Sequence, residues 1–92
     1  MKTKNSHPYK LGANYFIRTA TYHHTGRLTC VTDTELVLED AAWIADSGRF
    51  TQALGNCEFS EVEMFPRGSH VIINRLAVID ACIIAKLPAT QK

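Results

Sequence analysis

Residues 14–24, NYFIRTATYHH, carry a period of two, with Tyr15, Ile17, Thr19 and Thr21 on one parity and Phe16, Arg18, Ala20 and Tyr22 on the other. Its β-branched and aromatic content, with apolar residues on both parities, predicts a strand partly covered on both faces. The stretch HHTG then predicts a turn, with Gly26 free to take positive φ. Two further strand-like runs follow, RLTCVT (27–32) and ELVLED (35–40), apolar at Leu28, Cys30 or Val31, and then at Leu36 and Leu38. Thr32-Asp33-Thr34 joins them, and Asp33 is placed to bond its own backbone as turn aspartates do. Residues 14–40 therefore predict a three-stranded antiparallel meander.

The pattern changes after Asp40. In DSGRFTQALGN (46–56), Phe50, Ala53 and Leu54 share a helical face, Asp46 or Ser47 can act as N-cap, and Gly55 stands where a C-cap would. A short helix is predicted there. CEFSEVEMF (57–65) alternates, with a slip at Ser60-Glu61, and fits either a strand with a bulge or an exposed hairpin arm. PRGSH is a turn, and VIINRLAVIDACII (71–84) holds two apolar β-rich runs parted by Asn74-Arg75-Leu76-Ala77. Residues 1–12 read as a polar, basic arm and 86–92 as a loop-like tail.

The 92 residues allow one domain, and a chain this short gains burial by oligomerising. The net charge of +1 provides no global field to steer phosphate backbones, although a local basic rim is compatible with it. The three cysteines, Cys30, Cys57 and Cys82, are odd in number and never in a CxxC pair. That spacing fits reduced thiols filling a core better than a disulfide framework or a zinc site. The N-terminus has no apolar h-region, and the longest apolar run, LAVIDACIIA (76–85), is too short for a bilayer and carries Asp80. A cytoplasmic protein without membrane contact or cofactor is expected.

A bent meander, a variable connection and two short apolar runs hinged on an arginine resemble the Sm-like (Lsm, Hfq) small β-barrel. Gly26, Leu28, Asp33, Leu36 and Leu38 are similar to the family's first motif, with Asp33 one place late. VIINRLAVIDACII is similar to the second, with Arg75 in the arginine place and Leu76 where glycine is usual. The likeness covers residues 14–40 and 71–84, leaving 41–70 as an enlarged variable connection. The LEDAAWIADSGRF portion also looks like small phage-encoded proteins, which would place the chain in a host cytoplasm. The resemblance implies a mainly β fold: a small, strongly bent, five-stranded antiparallel Sm-like (SH3-like) barrel. One short helix lies between its strands 3 and 4. It also implies a homo-oligomeric ring of roughly five to seven subunits, the last strand of one pairing with the bent strand of the next.

Sm-like rings bind single-stranded RNA with a stacking group and an Asn from the turn after the second strand, and an Arg from the second motif. Arg75 fits the arginine place, and Asn74 beside it can donate to a base. Glu35 and Val37 (or Leu36, if the register slips) fall where the stacker and the Asn belong, so the usual uridine pocket is absent. RNA contact would then use Arg75 and Asn74, or groups outside the motif. His23 and His24 with Tyr22 and Arg27 offer stacking and basic groups at one turn, and Arg18 with Lys2, Lys4 and Lys10 a basic rim. Each has a plainer role: the first as a solvated hairpin turn, the second as a solvated arm, and Arg75 as a hinge residue capping carbonyls or pairing with Asp80. Trp43 and Phe50 are expected to seal the helix to the barrel.

Catalysis has little support in the pattern. Glu39 and Asp40 are neighbours on a strand, point to opposite faces, and are expected to end that strand. No nucleophile–base motif or metal-ligand spacing stands out. The expected function is an RNA-binding ring in RNA metabolism or translational control; the alternative is a scaffold ring or small-ligand barrel without the RNA pocket.

Overall fold

The computed structural model describes residues 7–46 and 48–88, apart from the side chains of 50–52. Six antiparallel strands form one sheet: β1 (Asn14–Thr19), β2 (His23–Val31), β3 (Glu35–Asp46), β4 (Glu61–Met64), β5 (Val71–Asn74) and β6 (Val78–Ile83). A short helix, α1 (Phe50–Asn56), joins β3 to β4, and a single 3₁₀ turn, Arg75–Ala77, joins β5 to β6. The strand order is β4-β3-β2-β1-β6, with β5 also on β3. β5 and β6 do not pair with each other, so the sheet is open.

The strand count differs from the expected five because β3 does not stop at Asp40. It runs on to Asp46, pairing β5 through Glu35–Leu38 and β4 through Ala42–Asp46. The stretch 41–70, expected to be a variable connection, is thus partly strand, and Glu61–Met64 is a sheet strand rather than a detached arm. Asp40 adopts φ +53, and the four β3 residues from Glu39 to Ala42 face the three β2 residues from Thr25 to Arg27. The inserted residue is a bulge, and it flips the side-chain parity of the strand. Leu36, Leu38 and Ala41 enter one core with Tyr15, Ile17, Leu28 and Ile73. Ala42 and Ile44 enter a second with Phe16, Ala53, Phe59, Val62 and Ile84.

Adjacent residues Tyr15, Phe16 and Ile17 serve the two cores in turn, so β1 is covered on both faces, as its composition predicts. The second core is roofed by α1 through Ala53 and Leu54, and by Phe59. Trp43 is outside that core, correcting its expected role as the helix seal; the side chain of Phe50 lies outside the described residues. The helix starts four residues after Asp46, whose carboxylate instead accepts from Gly48 N at 2.8 Å. Ser47 is outside the described residues. Gly55 sits inside the helix, and the left-handed residue just beyond it is Cys57, at φ +59.

Two turns also form differently from expectation. The β1–β2 turn lies at 20–22 and HHTG is strand, because Thr19 closes the reversal. Its amide donates to the Tyr22 carbonyl at 2.9 Å, and its hydroxyl bonds the same residue. Gly26 is therefore not a positive-φ residue but a close-packing one: a Cβ there would stand 2.8 Å from Leu38 Cβ. At the β2–β3 hinge the bonding side chain is Thr32, not Asp33. Its hydroxyl accepts from Thr34 N at 3.2 Å and Glu35 N at 2.9 Å. Within residues 7–12 of the arm, Tyr9 packs on the first core and Gly12 N donates to Leu28 O at 2.7 Å.

The glycine argument gives a direct comparison. Gly26→Ala should cost about 1–3 kcal/mol, since two β-strands must move apart to admit the methyl group. Gly55→Ala, with nothing within 4 Å of its added Cβ, should stabilise the helix by about 0.5–1 kcal/mol. Urea unfolding of both variants tests the contrast.

Candidate functional site

The corner where β5 meets the 3₁₀ turn holds the two residues singled out from the second motif. Asn74 is the cap of that turn: its side-chain oxygen accepts from Leu76 N at 2.9 Å. Arg75 is held twice against the β2–β3 hinge. Its amide donates to Thr34 O at 2.8 Å, and its guanidinium Nη1 donates to the Thr32 carbonyl. The same guanidinium lies 5.7 Å from the centroid of the Tyr9 ring, which packs edge-on against Tyr15. Arg75 thus caps a carbonyl, and Asp80 is engaged elsewhere.

An open cleft of about 390 Å³ adjoins this corner, lined by Thr34, Glu35, Ile72, Asn74 and Leu76. Its character is set by an acid and two apolar side chains, Ile72 and Leu76, which are 62% and 85% exposed. Glu35 at the rim opposes a phosphate, and a cleft of this lining has no aromatic face for a base to stack on.

The remaining predicted residues lie elsewhere. His23 opposes Ile44 and packs edge-on against Phe16 at 5.6 Å. His24 opposes Trp43, stacks on Phe65 at 6.1 Å, and has a buried Nδ1 without a hydrogen-bond partner. Alternation along β2 sends the two histidines to opposite faces. Arg27 lies between Glu39 Oε1 and Asp40 Oδ2, each 3.3 Å from Nη2. The Asp40 bulge brings these adjacent acids to one cation, contrary to the expectation that they diverge and end the strand. His70 Nε2 adds a fourth member, 3.2 Å from Glu39 Oε2. Arg75 and Asn74 therefore form one corner, while His23, His24 and Arg27 are dispersed along β2.

Arg18 on β1 grips Asp80 on β6 through both ends of the guanidinium, with Nε to Oδ1 at 2.8 Å. The pair lowers the Asp80 carboxyl below its ordinary range and raises Arg18 above its own. This ties the last strand to the first and takes Arg18 out of any basic rim; Lys2 and Lys4 lie outside the described residues. The pairing carries no short-range sequence signal, since it joins residues 62 apart. Among the described residues no group of three His, Cys, Asp or Glu side chains is placed to hold a metal. No described helix is long and apolar enough to cross a membrane.

Two consequences are measurable. Replacing Arg75 by Met keeps the stem but deletes the carbonyl cap, and should cost about 1–2 kcal/mol. Amide exchange should then quicken at Thr34, Glu35 and Arg75 and stay unchanged in α1. His24 gives the second. Burial, with the His23 charge adding to it, holds its imidazole below the ordinary value of 6.5. The unfolded chain takes up that proton first, so the fold loses stability as pH falls below about 6.5 and the loss ends at the lower folded value. The urea midpoint should fall as the pH drops below about 6.5, and His24→Phe should flatten that part of the profile.

No family model matches the chain, and no curated protein or solved structure matches it.

Proposed function

We propose that this chain is an Sm-like barrel subunit that works by assembling with copies of itself, as a scaffold ring rather than an RNA-reading one. Four features support the barrel reading. β3 is long and bulged, β5 pairs its first half, a 3₁₀ turn carrying Arg75 links β5 to β6, and β6 returns to β1. The observation that carries assembly is a pair of unmatched strand edges. Among the described residues β6 has a neighbour only in β1, and β4 and β5 have one only in β3. Ile79 and Ile83 on β6 are 64% and 51% exposed, an apolar edge of the kind that chains cover by pairing. β3 already has neighbours on both sides, so in a ring the last strand of one copy meets the β4–β5 edge of the next.

RNA binding is the second reading, favoured by Asn74 lining the cleft with Arg75 next to it in the chain. Glu35 and the capping duties of both residues weigh against it, and the net charge of +1 gives it little long-range help.

Native mass spectrometry at micromolar concentration, with and without U-rich and A-rich RNA at low salt, separates these readings. The scaffold reading expects one closed oligomer that takes up neither RNA, and monomers from Ile79→Lys with an unchanged circular dichroism spectrum. An oligomer that binds one RNA per ring, less tightly as Arg75→Ala, would move the conclusion to the second reading. A monomeric native chain would remove both.

A further inference from the structure

The face of the sheet opposite α1 carries a second cleft, of about 290 Å³, lined by Trp43, Glu63, Met64, Phe65 and Pro66. Trp43 on β3 and Glu63 on β4 are register partners and share that face. Phe65 is held by its stack on His24, and Trp43 by the edge of Tyr22 at 5.6 Å and 66°. The walls are thus braced aromatic rings, ready before any ligand arrives. The indole Nε1 is buried without a hydrogen-bond partner, so the part of Trp43 that meets a ligand is carbon, the π-face rather than the donor.

Charge decides what fits. Glu61 and Glu63, two apart on β4, lie on the same side of the strand. Both are exposed and neither joins an ion pair among the described residues, although Arg67 is only four residues beyond Glu63. An aromatic-walled cleft lined by the Glu63 carboxylate, with Glu61 two residues along the same strand side, attracts a cation that also has a flat apolar surface. Guanidinium meets both requirements, stacking on the ring while donating to the carboxylate. The same carboxylates repel a phosphate backbone. Edge-to-edge pairing of β4 with another copy extends the sheet and leaves this face uncovered, so the cleft is independent of assembly.

We propose that the Trp43–Phe65 cleft binds an arginine side chain on an extended segment of a partner protein, with Glu63 as its counter-charge. Trp43 is the only tryptophan in the chain, so intrinsic fluorescence reports on the cleft itself.

The test titrates the full chain with a short extended peptide bearing one arginine, and with the same peptide carrying citrulline there. Saturable quenching or a spectral shift of Trp43 is expected with the arginine peptide, with citrulline binding about fivefold more weakly. Glu63→Gln, an exposed change that leaves the fold intact, should weaken the arginine peptide by a similar factor and the citrulline peptide little. No response to the peptide, equal affinity for both peptides, or indifference to Glu63→Gln would each overturn the proposal. A fluorescence change that follows protein concentration without peptide would assign the cleft to a second copy instead. A response to U-rich RNA alone would assign it to nucleic acid.

Discussion

The fold depends on one inserted residue, Asp40. A strand has a side-chain period of two, so a regular β3 would send Leu36, Leu38, Ala42 and Ile44 to the same face. That would crowd one core and leave the other face of the sheet without aliphatic cover under α1. With Asp40 at φ +53 the chain gains a residue against β2 and the parity inverts, so Leu36 and Leu38 serve one core while Ala42 and Ile44 serve the other. A left-handed residue other than glycine carries a cost of order 1 kcal/mol, which aspartate tolerates better than most residues. Here its side chain is also used, since the kink delivers it to Arg27 beside Glu39.

From that inversion follows the arrangement of edges. A strand of twelve residues with a bend in the middle can hold two short strands on its outer side, β5 on the first half and β4 on the second. The chain between them, Phe65–His70, leaves the sheet and returns, with Phe65 N still bonded to Ala41 O at 3.0 Å. The guanidinium of Arg75 then fixes the hinge at the far end of β3, and the Arg18–Asp80 pair fixes β6 to β1. Each clamp joins segments far apart in sequence, so each closes a long loop whose entropy the local strands alone do not offset.

That distance explains what the sequence discloses and what it conceals. The meander, the helix at 50–56 and the Arg75 hinge were legible because each rests on spacing within about ten residues: alternation, an Ala53–Leu54 face, a polar break between apolar runs. The extension of β3 was concealed by its own bulge. Glu39-Asp40 reads as a polar terminus, and AAWIAD after it carries too little polarity to show which face is which. The role of Thr32 was hidden because Thr and Asp at one turn compete for the same backbone bonds, and only the geometry chooses. His23 and His24 looked like one basic turn because the true reversal, closed by Thr19 and Tyr22, lies just before them. Trp43 looked like a helix seal because it precedes α1 in sequence, whereas parity places it on the other face.

The electrostatics follow from the same placement. Arg18, Arg27 and Arg75 each engage a carboxylate or a carbonyl of the chain itself, so the arginines that a sequence reading offers to a ligand also hold the fold together. Their acids are neutralised with them: Asp80, Glu39 and Asp40. What remains uncompensated on the β4 face is Glu61 and Glu63, beside aromatic rings. A chain with a formal charge of +1 can therefore present a locally negative surface, because its positive groups are turned to holding strands and hinges together. Where that surface turns negative is governed by which acids the fold leaves unpaired, a property set by strand register rather than by composition.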